Sequence, residues 1–215
     1  MGIARLFFAA ILLVGPGRSF SEIWITHVDH THFFSVHFPF QPEVHQIPYQ
    51  SEYGSIFPAY VYTAQNGQNF YSVTVVDFSD SEGIYREPED KTDDDENIPG
   101  VWLYDQRGSV AYAARNFRLR GGEVTYDAWH HIDLVEGHQL QITNQNQSRT
   151  YAGMYLHNSR LYVLEATVPA GAPPQGLFQQ SLVFLDEKGA RIRYNLKPDG
   201  SRTRLIRTAI ELMSP

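Results

Sequence analysis

Three histidines and an aspartate fall within six residues of the stretch ITHVDHTHFF, at His27, Asp29, His30 and His32. Imidazole nitrogens suit zinc and copper, so His27, His30 and His32 are the first candidates for a metal centre. An extended backbone works against it. Side chains alternate across a strand, which groups His30 and His32 with Phe34, Val36 and Phe38, and turns His27 and Asp29 the other way with His37. The three ligands converge only where the segment is irregular; otherwise they are a solvated lead-in to a strand.

A second set lies at Asp127, His130, His131 and Asp133. His130 shares a face with Tyr126 and Ile132, where a neutral histidine held by hydrogen bonds is the ordinary outcome. His131 points to the face of Asp127 and Asp133. A hydrolase using His130 or His131 with a nearby carboxylate is therefore the alternative to weigh. It would need a nucleophile or an activated water. Ser148 and Ser159 sit in turns, and no strained elbow surrounds either of them.

Asp93, Asp95 and Asn97 repeat the alternate-oxygen spacing that opens a calcium loop. The pattern then breaks, because Ile98 stands where the sharp turn needs glycine and Tyr104 where a bidentate glutamate belongs. A solvated acidic loop over about 80–100 is the competing reading. Basic residues gather at the other end, at Arg191, Arg193, Lys197, Arg202, Arg204 and Arg207. Opposite fields of this kind either pair within the fold or orient a docking partner.

The elements that must position these residues belong to one 215-residue chain that is 42% hydrophobic, enough for a single core. Thirteen Tyr and thirteen Phe point to sheet. A formal charge of −7 argues against nucleic acid as a partner. The opening MGIARLFFAAILLVGPGRSFSE has a basic start at Arg5, an apolar run from Leu6 to Gly15, and small residues at Ser19 and Ser21. It reads as a signal peptide over 1–21, leaving 22–215 as one exported domain of the periplasm or exterior, with no later apolar run long enough to span a membrane. There is no cysteine, so neither disulfides nor thiolate chemistry contribute.

FFSVHF reads as a strand closed by Pro39 and Pro42. Asn66-Gly67 predicts a hairpin with Tyr62 opposite Tyr71, and with Ile56, Pro58, Tyr60, Tyr62, Tyr71, Val73 and Val75 on a core face. Val110, Ala113, Ala114 and Phe117 predict a helix capped by Ser109 and stopped by Gly121-Gly122. The next hairpin is expected to turn on Glu136–His138, which sets Leu134 against Leu140 and Ile132 against Ile142. The one after turns on Asn158-Ser159, with Leu156 opposite Leu161, and is apolar on both faces. Pro173-Pro174 opens a predicted second helix through Leu185; turns at 186–189 and 199–200 flank a last strand, Ala190 to Asn195.

This order describes an α+β fold, an antiparallel sheet of hairpins flanked by two helices. The run LYVLEATVPAGAPPQGLFQQSLVFL resembles the C-terminal strand and helix of the PsbP family, named for a photosystem II accessory protein. That resemblance implies a PsbP-like sandwich and carries no functional residues. FFSVHFPFQPEV and YSVTVVDFSD are similar to segments of uncharacterised bacterial exported proteins. The expectation is a non-catalytic binding or docking protein without a cofactor, whose partner is another envelope protein or a small ligand. The alternatives are the hydrolase and zinc or copper capture by the histidine segment.

Overall fold

In the computed structural model, which describes residues 24–86 and 100–205, the chain reverses on residues that tolerate a left-handed backbone. Asn158 and Ser159 take φ of 46° and 56° and join β8 (Arg149–His157) to β9 (Arg160–Val168). The register is the expected one, with Leu156 opposite Leu161, Tyr155 opposite Tyr162 and Met154 opposite Val163.

The Asn66-Gly67 hairpin forms between β4 (Ile56–Asn66) and β5 (Asn69–Asp77), but its central residues are Gly67 and Gln68. Gly67 alone takes positive φ, 60°. A turn with glycine first needs a single left-handed residue, whereas one centred on Asn66 would need two. Tyr62 therefore meets Val73 in place of Tyr71. A slip of two leaves every side chain on its face. The expected core face ends early, since Ile56 is 52% exposed and Pro58 is exposed too.

The hairpin of β6 (Glu123–Ile132) and β7 (Val135–Thr143) corrects the sequence reading more deeply. It turns on Asp133 and Leu134, at φ 50° and 64°, so Glu136–His138 belong to a strand and Leu140 faces Asp127. Matching apolar residues misleads here because β6 is the last strand of its sheet, is exposed over most of its length, and carries a register shift between Val124 and Tyr126.

The helix α2 (Val101–Leu119) buries the predicted Val110, Ala113, Ala114 and Phe117. It begins nine residues early, capped at Gly100 with φ 77°, so Ser109 is buried within the helix and is no cap. The buried Asp105 accepts a hydrogen bond of 2.6 Å from the Tyr85 hydroxyl of α1 (Ser81–Arg86). The start of the expected acidic loop is therefore helical. Its continuation, 87–99, lies outside the described residues, as does the proposed leader.

With β3 (Glu43–Gln50), the strands form a seven-stranded antiparallel sheet in the order β3-β4-β5-β9-β8-β7-β6. Helix α2 covers one face through Phe57, Val76, Phe78, Leu140, Met154 and Leu161. A second small sheet covers the other. It comprises β1 (Ile25–Asp29), β2 (Phe34–Phe38) and β10 (Val183–Phe184), joined by the one-turn α3 (Gly176–Gln179). The expected second long helix is thus a turn and a strand. The free edge of β2 takes Val183 and Phe184 as ladder partners, and Phe178, Leu182 and Phe184 still reach the core. Four tyrosines, Tyr62, Tyr71, Tyr155 and Tyr162, are fully buried beneath this layer, so the tyrosine-rich sheet face is covered. The last strand, expected over 190–195, falls at β11 (Tyr194–Leu196) and pairs with β12 (Arg202–Arg204) about the Asp199-Gly200 turn.

Candidate functional site

The histidine segment splits across β1 and the turn after it. His27 pairs opposite Val36 and its ring lies against Phe34, Phe38 and Tyr62, with Gln41 3.3 Å from its Nδ1. His30 turns away and packs its ring on Gly189. His32 is buried, with Nδ1 2.7 Å from the Tyr62 hydroxyl oxygen. Tyr62 donates its own proton to Asp29 Oδ2 at 2.6 Å, so His32 is the N–H donor in that pair. The His32 amide closes the loop onto Asp29 Oδ1, also at 2.6 Å. Burial pushes the Asp29 carboxyl up, but hydrogen bonds from His32 and Tyr62 outweigh it and hold the group well below the usual carboxylate range. This is a satisfied structural network. His27, His30 and His32 do not converge, and among the described residues no group of three or more His, Asp or Glu is placed to hold a metal ion. Asp93, Asp95 and Asn97 lie outside those residues.

The second set is dispersed by the true register. His130 Nδ1 lies 3.1 Å from the Tyr155 hydroxyl, which accepts from Gln139 at 3.1 Å. Burial and then the neighbouring His131 lower the His130 pKa. Asp127 meets neither histidine. It accepts from His138 at 2.6 Å and takes a bidentate pair from Arg118 on α2, both arms at 2.9 Å. Asp133 is clamped by Arg191 at 3.0 Å through both oxygens. Ser148 Oγ is committed to Asn144 and Asn146. The Asp127–His138 pair was hidden in the sequence because the expected hairpin placed His138 in a loop.

A different group of side chains does meet around open space. A cleft of about 1190 Å³ lies where the β8–β9 turn, the β1–β2 turn, the 185–193 segment and β12 come together. Arg160, Arg191, Arg193 and Arg204 line it with Lys188, against Asp186 and Glu187 and the apolar Phe33, Leu185, Ile192 and Leu205. Carboxylates hold these guanidinium groups in place. Asp133 takes Arg191 at 3.0 Å and Arg193 at 3.8 Å, Asp77 takes Arg160 at 3.6 Å, and Asp186 pairs with Arg204. The scaffolding is incomplete. The Nε atoms of Arg160 and Arg193 are buried and have no hydrogen-bond partner; 3.8 Å is an ion pair and too long for a hydrogen bond.

The cleft's field reaches inward. His157 is buried beside it, its ring tilted against Phe184 at 4.5 Å and bonded to the Tyr194 hydroxyl at 2.8 Å. Burial, then Arg202, Arg160 and Arg204, lowers its pKa to about 4. A positive potential that disfavours an imidazolium favours an anion at the same place. The clustered arginines of the C-terminal segment were visible in the sequence. Phe33 and Arg160 were not, because strand pairing alone brings them there.

No protein-family model and no curated protein matches this sequence. Among solved structures, the chain has a weak structural resemblance to the solution structure of cyanobacterial PsbP (CyanoP) from Synechocystis, at a TM-score of 0.40 and 13% identity, covering 80% of this chain and 98% of that one. Among the described residues no helix is long and apolar enough to cross a membrane.

Proposed function

We propose that this chain is an exported, non-catalytic binding protein whose working surface is the arginine-lined cleft, and that the ligand it takes there is anionic. One observation carries the reading. On a chain of net charge −7, four arginines converge on a single cleft, and two of them keep a buried Nε–H with no acceptor. A buried donor left unsatisfied costs about 1–3 kcal/mol. An oxyanion that accepts from either, once the guanidinium turns toward the cleft, would recover that cost in a charge-assisted form. Export rests on the leader-like opening and the absence of cysteine. The layering of α2, the large sheet and the small sheet supports reading the fold as a sandwich.

The experiment is expression of the full chain in a bacterial host with recovery of the envelope fraction. N-terminal sequencing should find a chain beginning at Glu22. Titration of that material with pyrophosphate, read by the Arg Nε–H resonances, should move Arg160 and Arg193 first. Arg193→Gln, at a half-exposed position, should weaken binding about tenfold, the loss of one charge-assisted bond. Retention of residues 1–21, or pyrophosphate shifts spread evenly over the surface, would count against the proposal.

A further inference from the structure

We propose that the ligand of this cleft is an amphiphilic anion: a single carboxylate or phosphate monoester head on an aliphatic or aromatic body. The inference rests on the reading above and goes beyond it, because anion binding alone does not account for the shape or the apolar half of the cleft. At about 1190 Å³, it is larger than the usual range for small-ligand pockets, about 300–1,000 Å³. A bare phosphate or acetate displaces a few waters of about 30 Å³ each. Most of the space would stay wet around such an ion.

Each of the four arginines faces a carboxylate, but only two are held to theirs by hydrogen bonds. Arg191 is held bidentate by Asp133, and Arg204 is paired with Asp186. The buried unmatched donors reduce to Arg160 and Arg193, with the exposed Lys188 beside them, which suits one head group rather than a run of acidic side chains. Beside the arginines, Phe33 and Leu205 offer apolar surface to a body attached to that head, with the buried Leu185 and Ile192 behind them.

Phe33 adds an independent observation. Its backbone is left-handed at φ 57°, a conformation that costs a bulky residue about 1–2 kcal/mol. The Phe33 carbonyl is pinned by the Leu185 amide at 2.8 Å. Its ring lies under the Arg160 guanidinium, 4.9 Å from centroid to carbon. A strained aromatic held against one of the two cleft cations with a free buried donor forms the corner where head and body of such a ligand would join.

The test uses the full chain and matched probes below their micelle concentrations: acetate, inorganic phosphate, octanoate, octyl phosphate, octyl glucoside and a hexaglutamate peptide. Octanoate, octyl phosphate or both should bind at least tenfold tighter than the head group alone. Octyl glucoside should not bind, and bound anion should raise the His157 titration seen by NMR. The two octyl anions tell carboxylate from phosphate. Phe33→Asn keeps a residue that tolerates positive φ, so the fold survives; it should erase most of the chain-length preference while leaving acetate or phosphate binding intact. Equal affinity for acetate and octanoate, and for phosphate and octyl phosphate, overturns this inference while the anion site stands. Tighter binding of hexaglutamate than of either octyl anion overturns it in favour of an acidic polypeptide. Failure of every anion overturns both readings.

Discussion

His157 shows how a single buried side chain ties the cleft to the stability of the protein. Its imidazole titrates near 4 in the folded chain and at the ordinary 6.5 once unfolded. Between those values the unfolded chain takes up a proton that the folded chain refuses. Stability is therefore fully present above pH 6.5 and falls as the pH drops through the window to about 4. At 1.36 kcal/mol per pKa unit, the loss is roughly 3 kcal/mol. His157→Phe keeps an aromatic ring against Phe184 and gives up the bond to Tyr194, at a cost of about 1 kcal/mol near neutrality. Urea midpoints at pH 7, 5.5 and 4 should show the parent losing stability much faster than the variant. Parallel curves would mean another group titrates. The histidines at the start of the chain teach a related lesson. Their spacing was legible, but the partner that decides their role, Tyr62, lies 30 residues from His32 in the sequence and reaches it only through sheet packing.

At the scale of elements, the β6–β7 hairpin stores strain in its turn. Asp133 and Leu134 both sit at positive φ, 50° and 64°, and a leucine there costs about 1–2 kcal/mol that glycine would not. The Leu134 carbonyl accepts from Arg202 at 2.5 Å, a backbone contact that any residue keeps. Leu134→Gly should therefore gain about 0.5–1 kcal/mol after the entropy of glycine in the unfolded chain is subtracted. It would be read as a higher urea midpoint at an unchanged slope. A lower midpoint would show that packing of the leucine side chain outweighs the backbone. The same hairpin marks the boundary of what sequence patterning can resolve. In β8–β9 both faces are buried, so a wrong register would misplace apolar residues on one side or the other, and the turn residues and apolar pattern agree. In β6 most residues face solvent, Trp129 at 75% exposure among them, and an apolar match carries little energy. Likewise α2 was legible where its stripe is buried, from Val110 to Phe117. It was not legible over its first turns, where the buried residue is the polar Asp105.

The whole molecule closes through its two ends. Strand β2 lies early in the chain and β10 late, yet Ser35 pairs with Val183 and Phe34 with Phe184. Together they roof the tyrosine-rich face of the large sheet. The late segment contributes Phe178, Leu182, Phe184 and Ile192, all nearly fully buried. At about 1.5–3 kcal/mol per large apolar side chain, these four account for roughly 6–12 kcal/mol, as much as the net stability of a typical domain, about 5–15 kcal/mol. No fragment that lacks them can keep Phe34, Phe38, Tyr62 and Tyr162 dry. A chain ended after Pro169 should retain strand signal in the far-ultraviolet, bind a hydrophobic dye, and lose its cooperative thermal transition. Cooperative melting within a few degrees of the full chain would refute that view of the fold. Contacts this distant in sequence form late, because loop closure must be met before burial rewards it. The growing chain therefore stays open until its last third exists. That delay suits the export proposed above, since a polypeptide threaded through a membrane must not finish folding before it crosses. The cleft, whose walls include Arg160, Arg191, Arg193 and Arg204, is assembled by the same closure and so exists only in the completed protein.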